Sequence, residues 1–406
     1  MKLYLVIFLF LALFPWLAAC SGRQLSEPVF SGSPYVDPAT MRKDEIIDLP
    51  TGVRLSRDQL FHLLSCDRIV YVGEGHDNIY DHQVELTVIK ELHKRFPDRI
   101  AVGFEMLART NQEKIDLWLA GKISDDDFIR LFAEDWGVYD YIYYRDIFAY
   151  LKAEAIPVRG LNVSRREKAE FMQAMMKKPA KPGGADRKLP QIPEIPADPY
   201  QEKALRAMFA GHAEGHGSID LFLKVHQLWE ETMAETIVSY LTSPAGKDKL
   251  MIVISGEFHV ARGYGLPRRV FQRYQEPYSI LLTTTPEALY ENEPRRMEVD
   301  FPELPLYLGD YLWCVPYRNL KDRQVRLGVG LKPVASGSGV EIVMVEKESA
   351  AARAGLEVGD RILDFAGRVP KDALDISLVL LKKQKGDKVT VEIERAGKRR
   401  EIEIVL

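Results

Sequence analysis

One construction, used twice, constrains this chain more than anything else in it. The apolar run Ile69-Val70-Tyr71-Val72 stops at Gly73-Glu74-Gly75-His76, and Leu250-Met251-Ile252-Val253-Ile254-Ser255 stops at Gly256-Glu257-Phe258-His259. Short apolar runs closed by glycine predict buried strands. A third run, Ile100-Ala101-Val102-Gly103-Phe104, ends on Glu105. Helical patterns separate the runs, at Asp81 to Phe96, Tyr143 to Ala155 and Ile219 to Leu241. Strands alternating with helices predict an α/β fold, a mainly parallel sheet with helices on both faces. Ligands of such sheets sit beyond the carboxyl ends of the strands. The expectation is a single site lined by Glu74, His76, Glu105, Glu257 and His259.

Carboxylate and imidazole together offer metal ligands, or an acid and a base. One Gly-Glu-X-His could simply cap a helix, but two at equivalent strand ends favour a functional site. His212 and His216 lie in a glycine-rich loop, free to swing onto a metal or a cofactor's iron, or forming only a polar turn. His82 follows His76 closely enough to face the site, whereas His62, His93 and His226 read as ordinary surface or core residues. Tyr264 stands between two glycines five residues beyond His259. A phenolate can hold ferric haem iron, although packing is the simpler role for a lone tyrosine.

The 406 residues suffice for one large domain and a smaller one, and the formal charge of −4 comes without a basic cluster. That gives no support to a nucleic-acid partner. Residues 1–20 read as a targeting segment: Lys2, an apolar stretch from Leu3 to Leu13, then Leu17-Ala18-Ala19-Cys20. Leu-Ala-Ala-Cys resembles a bacterial lipoprotein box, which implies an acylated Cys20 as lipid anchor. Ser21 resembles an outer-membrane sorting signal. The expected location is the bacterial cell envelope, anchored by lipid at the outer membrane and facing the periplasm or the surface. Residues 21–50 read as a tether, 51–290 as the main domain with a Pro-rich insertion at 177–200, 291–324 as a linker and 325–406 as a separate small unit.

The motifs Gly73 to His76, Gly103 to Met106, Gly211 to Gly217, Leu228 to Ile237 and Gly256 to Pro267 together resemble the ChaN family of haem-binding lipoproteins. That family is similar in turn to Tiki metalloproteases and erythromycin esterases. The resemblance implies an α/β domain that binds haem for iron uptake or storage, with tyrosine ligation and a cofacial pairing across a homodimer. Mapped onto this chain, it makes Tyr264 the axial ligand. His259, His212, His216 and His76 then stand near the cofactor or reach it from a partner chain. The Tiki-like alternative is a metal-dependent hydrolase, in which His76, His259 and Glu105 hold a divalent ion while Glu74 or Glu257 activates its water.

The last segment resembles a PDZ domain of the type attached to bacterial proteases. Leu327-Gly328-Val329-Gly330 matches the carboxylate-binding loop, and Ala351 to Leu363 the signature that follows. Such a loop captures a partner's C-terminal carboxylate through backbone N–H groups while the peptide adds as a strand.

Overall fold

The structure, a computed structural model, describes residues 33–176, 198–211, 218–293, 301–334 and 338–406. The expected targeting segment with Cys20, most of the Pro-rich stretch, His212 and His216 lie outside the described residues.

The strands of the larger sheet are β1 (Ile46–Asp48), β2 (Val53–Leu55), β3 (Ile69–Glu74), β4 (Ile100–Ala108), β5 (Val158–Asn162), β6 (Leu250–Gly256), β7 (Tyr278–Thr284) and β8 (Tyr311–Cys314). Their order is β2-β1-β8-β7-β3-β6-β4-β5. From β8 to β5 every pairing is parallel, and β1 and β2 add antiparallel at one edge. The mainly parallel sheet inferred above is therefore present. Strand side chains alternate between two cores, as a period of two requires. Val70, Val72, Val102, Phe104, Ile252 and Ile254 enter one core, while Ile69, Tyr71, Ala101, Met251 and Val253 enter the other. Neither face meets water, which is why these strands are apolar throughout.

Around this sheet run α1 (Arg57–Leu64), α2 (Ile79–Arg95), α3 (Gln112–Leu119), α4 (Asp125–Asp135), α5 (Tyr141–Ala153), α6 (Arg165–Met176), α7 (Pro199–Gly211), α8 (Ile219–Thr242), α9 (Glu257–Val260) and α10 (Leu266–Phe271). Ser56 and Ser124 open α1 and α4 with reciprocal capping boxes.

Two boundaries differ from the sequence reading. β1 falls in the expected tether and β8 in the expected linker, yet both are strands of the main sheet. Both are only three or four residues long, too short to show periodicity amid the neighbouring prolines. Cys66 is exposed and Cys314 buried, and both are free thiols.

The C-terminal unit is a five-stranded antiparallel sheet ordered β13-β12-β11-β10-β9, from β9 (Val329–Pro333), β10 (Val340–Val345), β11 (Arg361–Phe365), β12 (Lys388–Arg395) and β13 (Lys398–Val405). It carries α11 (Ala350–Arg353) and α12 (Ala373–Leu380). β9 is an edge strand with α12 beside it. Gly328, which leads into β9, has φ +76, and a Cβ there would meet Ser349 Cβ at 2.2 Å. Glycine is required on both counts. The two units touch: Leu378 of α12 joins a core of the main domain, and Arg130 of α4 binds Asp372 and Asp375.

Candidate functional site

The register of β3 against β6 decides what the strand ends present. Glu74 pairs with Gly256, so the second Gly-Glu-X-His starts one residue out of step with the first. The copies are consequently not equivalent. Glu74 is still in its strand and buried beneath the loop, where Oε1 accepts hydrogen bonds from His76 Nδ1 at 2.6 Å and from the Tyr144 hydroxyl. The second copy enters the helical turn α9 at once. Residues 257 and 259 then lie about 200° apart around the turn, which leaves Glu257 exposed and His259 buried. Glu257 does not line the site, contrary to the expectation.

His259 finds its carboxylates on other elements. Its Nε2 lies 3.3 Å from Glu105 Oε1 at the end of β4, and its Nδ1 lies 3.4 Å from Glu230 Oε1 on α8. Glu105 is fixed by the Gly256 N–H, which donates to Oε2 at 2.8 Å. Glu230 also accepts from the Gln201 amide at 2.7 Å and the Arg269 guanidinium at 2.9 Å. Burial disfavours a charged His259, but Glu105 and Glu230 outweigh it and push the ring up to about 10. The same contacts bring Glu105 and Glu230 down to about 2 against their own burial. For His76, burial is likewise outweighed by the Glu74 hydrogen bond, and the ring is raised.

These groups open onto a cleft of about 440 Å³ bordered by His76, Glu105, Trp136, Lys168, Trp229 and His259. Sites for cofactors usually fall between about 300 and 1,000 Å³. The His76 side chain is 39% exposed, so its ring is reachable from the cleft. Trp136 meets it edge-on with centroids 4.8 Å apart. Lys168 Nζ lies 4.8 Å from the Trp229 ring centroid, a cation near the opening.

Other candidates stand elsewhere. Tyr264 packs with Ala204 and Leu304 and borders a separate hollow beside Arg262 and Arg268. Left-handed backbone at Arg262 and Gly263 turns the chain before Tyr264 is reached. Burial pushes the Tyr264 hydroxyl up to about 12. His82 lies behind the cleft wall, its Nδ1 3.3 Å from Glu74 Oε2 and 3.0 Å from Glu85 Oε2. The expected metal set of His76, His259 and Glu105 is not compact. Among the described residues the compact three-ligand sets are His226–Glu230–His259 and Glu74–His82–Glu85. His76 Nδ1 is taken up by Glu74, and Glu105 by His259 and a backbone N–H.

Sequence reasoning missed Glu230, His226, Trp136 and Trp229. Residues 226 and 230 are four apart on α8, which puts both on one helical face. That spacing was visible, but amphipathic helices show it everywhere.

A family model described as haem-binding uptake, Tiki superfamily, ChaN matches residues 60–270. The chain belongs to this family. The match runs from α1 to α10, covers β3 to β6 of the larger sheet and takes in both Gly-Glu-X-His segments. A PDZ-domain model matches residues 325–406, so the ChaN-type haem-binding domain is followed by a PDZ peptide-binding module. Among solved structures, this chain is similar to the cofacially heme-binding ChaN of Campylobacter jejuni, at 16% identity and a TM-score of 0.50, over 68% of this chain and 98% of that one. The HtrA3 PDZ domain bound to a phage-derived ligand is similar at 20% identity and a TM-score of 0.19, over 20% of this chain and 83% of that one. The HtrA-type protease AlgW with a decapeptide is similar at 22% identity and a TM-score of 0.20, over 20% and 29%. A comparison with curated proteins finds no match.

Proposed function

We infer that the His76 cleft is the haem site and that the chain is a lipid-anchored envelope protein acting in haem or iron acquisition. The observation that carries the first part is the hydrogen bond from His76 Nδ1 to the buried Glu74 carboxylate. A histidine held at one ring nitrogen by a carboxylate has fixed orientation and raised basicity at the other. The exposed ring can then give Nε2 to haem iron. Trp136 and Trp229 offer aromatic walls to a porphyrin, and Lys168 offers a cation to a propionate.

The cofacial haems named for the Campylobacter jejuni structure support a homodimer in which a second copy covers the first cofactor. The Leu17 to Cys20 box supports acylation at Cys20 and an outer-membrane location. The loop Leu327 to Gly330 and the edge strand β9 support capture of another envelope protein's C-terminus.

Hemin titration of the purified chain tests the site. His76→Ala should abolish the Soret shift and Tyr264→Phe should leave it. The reverse result would return the iron to Tyr264. Cys20→Ser should release the protein from the membrane fraction, and unchanged fractionation would remove the anchor.

A further inference from the structure

At the cleft wall, α8 and α9 bring together a set of buried groups centred on His259, of which His226 and Glu230 do not line the cleft. His226 is 4% exposed, and among the described residues neither of its ring nitrogens has a hydrogen-bond partner. A buried imidazole with both nitrogens unsatisfied is costly, because neither regains the hydrogen bond it made to water. Its ring stacks on His259, centroids 4.7 Å apart and planes 27° from parallel. One ligand atom each from His226, Glu230 and His259 lie within 4.8 Å of one another. Ligands sharing one tetrahedral ion stand about 3.3–3.5 Å apart, given metal–nitrogen bonds of about 2.0–2.1 Å. Closing the set therefore takes rotation of the stacked rings and of the carboxylate about their side-chain bonds.

The surroundings fit a metal centre in three respects. Glu105 faces His259 Nε2 at 3.3 Å, which leaves Nδ1, on the Glu230 side, as the ligating nitrogen. That is the carboxylate–histidine–metal arrangement by which outer carboxylates orient a ligand. Glu230 is itself steered by Gln201 and Arg269. Finally, the buried carboxylates Glu105, Glu230 and Glu231 outnumber the guanidiniums Arg269 and Arg273 by one. The pocket thus calls for a further positive charge. A proton on His259 would meet that need, but it would leave both nitrogens of His226 unsatisfied. A divalent ion between His259, Glu230 and His226 supplies positive charge and gives one of the two His226 nitrogens a partner.

We propose that His226, Glu230 and His259 form a binding site for a divalent transition-metal ion of the zinc class, which shares only His259 with the lining of the haem cleft. Two imidazoles and one carboxylate suit zinc, cobalt or nickel. All three ligands are buried, so the ion ties α8 to α9 and fixes the ring of His259 in the cleft wall.

The test uses the full chain, free of haem, loaded with one equivalent of zinc or cobalt and then desalted. Elemental analysis should find about one ion per chain in the wild type and less than a tenth of that in His226→Gln. His76→Ala should keep its ion, which separates this site from the haem cleft. Cobalt should give visible d–d bands in the wild type and none in His226→Gln. Circular dichroism of His226→Gln reports whether the variant folds. If it does not, His226→Asn and chelator-induced loss of thermal stability in the wild type take its place. No retained ion in the wild type, or equal retention in a folded His226 variant, would overturn the proposal. Hemin titration is read separately, so failure of one site leaves the other standing.

Discussion

His76 Nδ1 lies 2.6 Å from Glu74 Oε1, and the same oxygen accepts the Tyr144 hydroxyl. A carboxylate buried to 1% exposure persists because the His82 and His76 imidazoles and the Tyr144 phenol share its charge. In return it fixes the angle at which His76 enters the cleft. Glu74→Gln keeps the shape and removes the charge. Hemin affinity should fall about 10–100-fold, the usual effect of losing such an orienting group, and the His76 pKa should drop toward its ordinary 6.5. Soret titrations from pH 5 to 9 measure both. An unchanged affinity would mean that His76 is not the ligand.

Two glycines of the repeated motif should respond oppositely to alanine. At Gly256 an added Cβ would stand 2.8 Å from His76 Nε2 and 2.9 Å from its Cε1. The neighbour is the partly exposed end of a side chain, which can swing away. Gly256→Ala should therefore weaken hemin binding at least tenfold at a stability cost below about 1 kcal/mol. At Gly73 the added atom would meet Leu282 Cδ2 at 2.4 Å, Val260 Cγ2 at 2.9 Å and the Glu257 Cα at 3.2 Å. These belong to the core and the backbone of α9. Gly73→Ala should cost about 1–3 kcal/mol through overpacking. Urea denaturation beside hemin titration separates the two effects.

The Glu105–His259–Glu230 cluster gives the metal-free protein a definite pH dependence. His259 is raised from 6.5 to about 10, so its contribution is complete below pH 6.5 and is lost as pH climbs through 10. Glu105 and Glu230 are lowered from 4.5 to about 2, so theirs is present above pH 4.5 and is lost toward pH 2. Stability should be highest between about pH 4.5 and 6.5. It should decline on the alkaline side by a few kcal/mol, roughly 1.4 kcal/mol for each tenfold change in proton affinity. Unfolding midpoints at pH 6 and pH 9.5 would show the loss. His259→Asn should start lower and stay nearly flat, and an equal slope in the variant would place the titration elsewhere.

How much of this was legible beforehand depends on how each residue was signalled. The parallel sheet was readable because β3, β4 and β6 are buried on both faces and so are apolar without interruption. The meeting of His76, Glu105 and His259 followed from their places at strand ends. The one-residue offset between β3 and β6 did not, because register is a property of paired strands, and it is what removes Glu257 from the site. Glu230 and His226 belong to a helix whose buried stripe looks ordinary until α10 brings Arg269 against it. Tyr264 was singled out for its flanking glycines, whose local turn instead carries it to a different hollow.

The junction between the domains supplies the last prediction. Asp375, 3% exposed at the start of α12, is bound by Arg130 of α4 and by Arg368, while Asp126 of α4 binds Arg368 and Lys382. α12 flanks the edge strand β9 where a peptide would add, and α4 runs on to Trp136 in the cleft. Removing one arginine leaves Asp375 with the other, so Arg130→Ala should cost only about 1 kcal/mol. Arg130→Ala with Arg368→Ala leaves a buried carboxylate uncompensated, a loss of about 3–5 kcal/mol from the junction. The double variant should melt in two steps, each domain unfolding independently, where the wild type melts in one. Differential scanning calorimetry distinguishes these cases. A single transition in the double variant would mean that Leu378 and its apolar neighbours hold the domains together without the ion pairs.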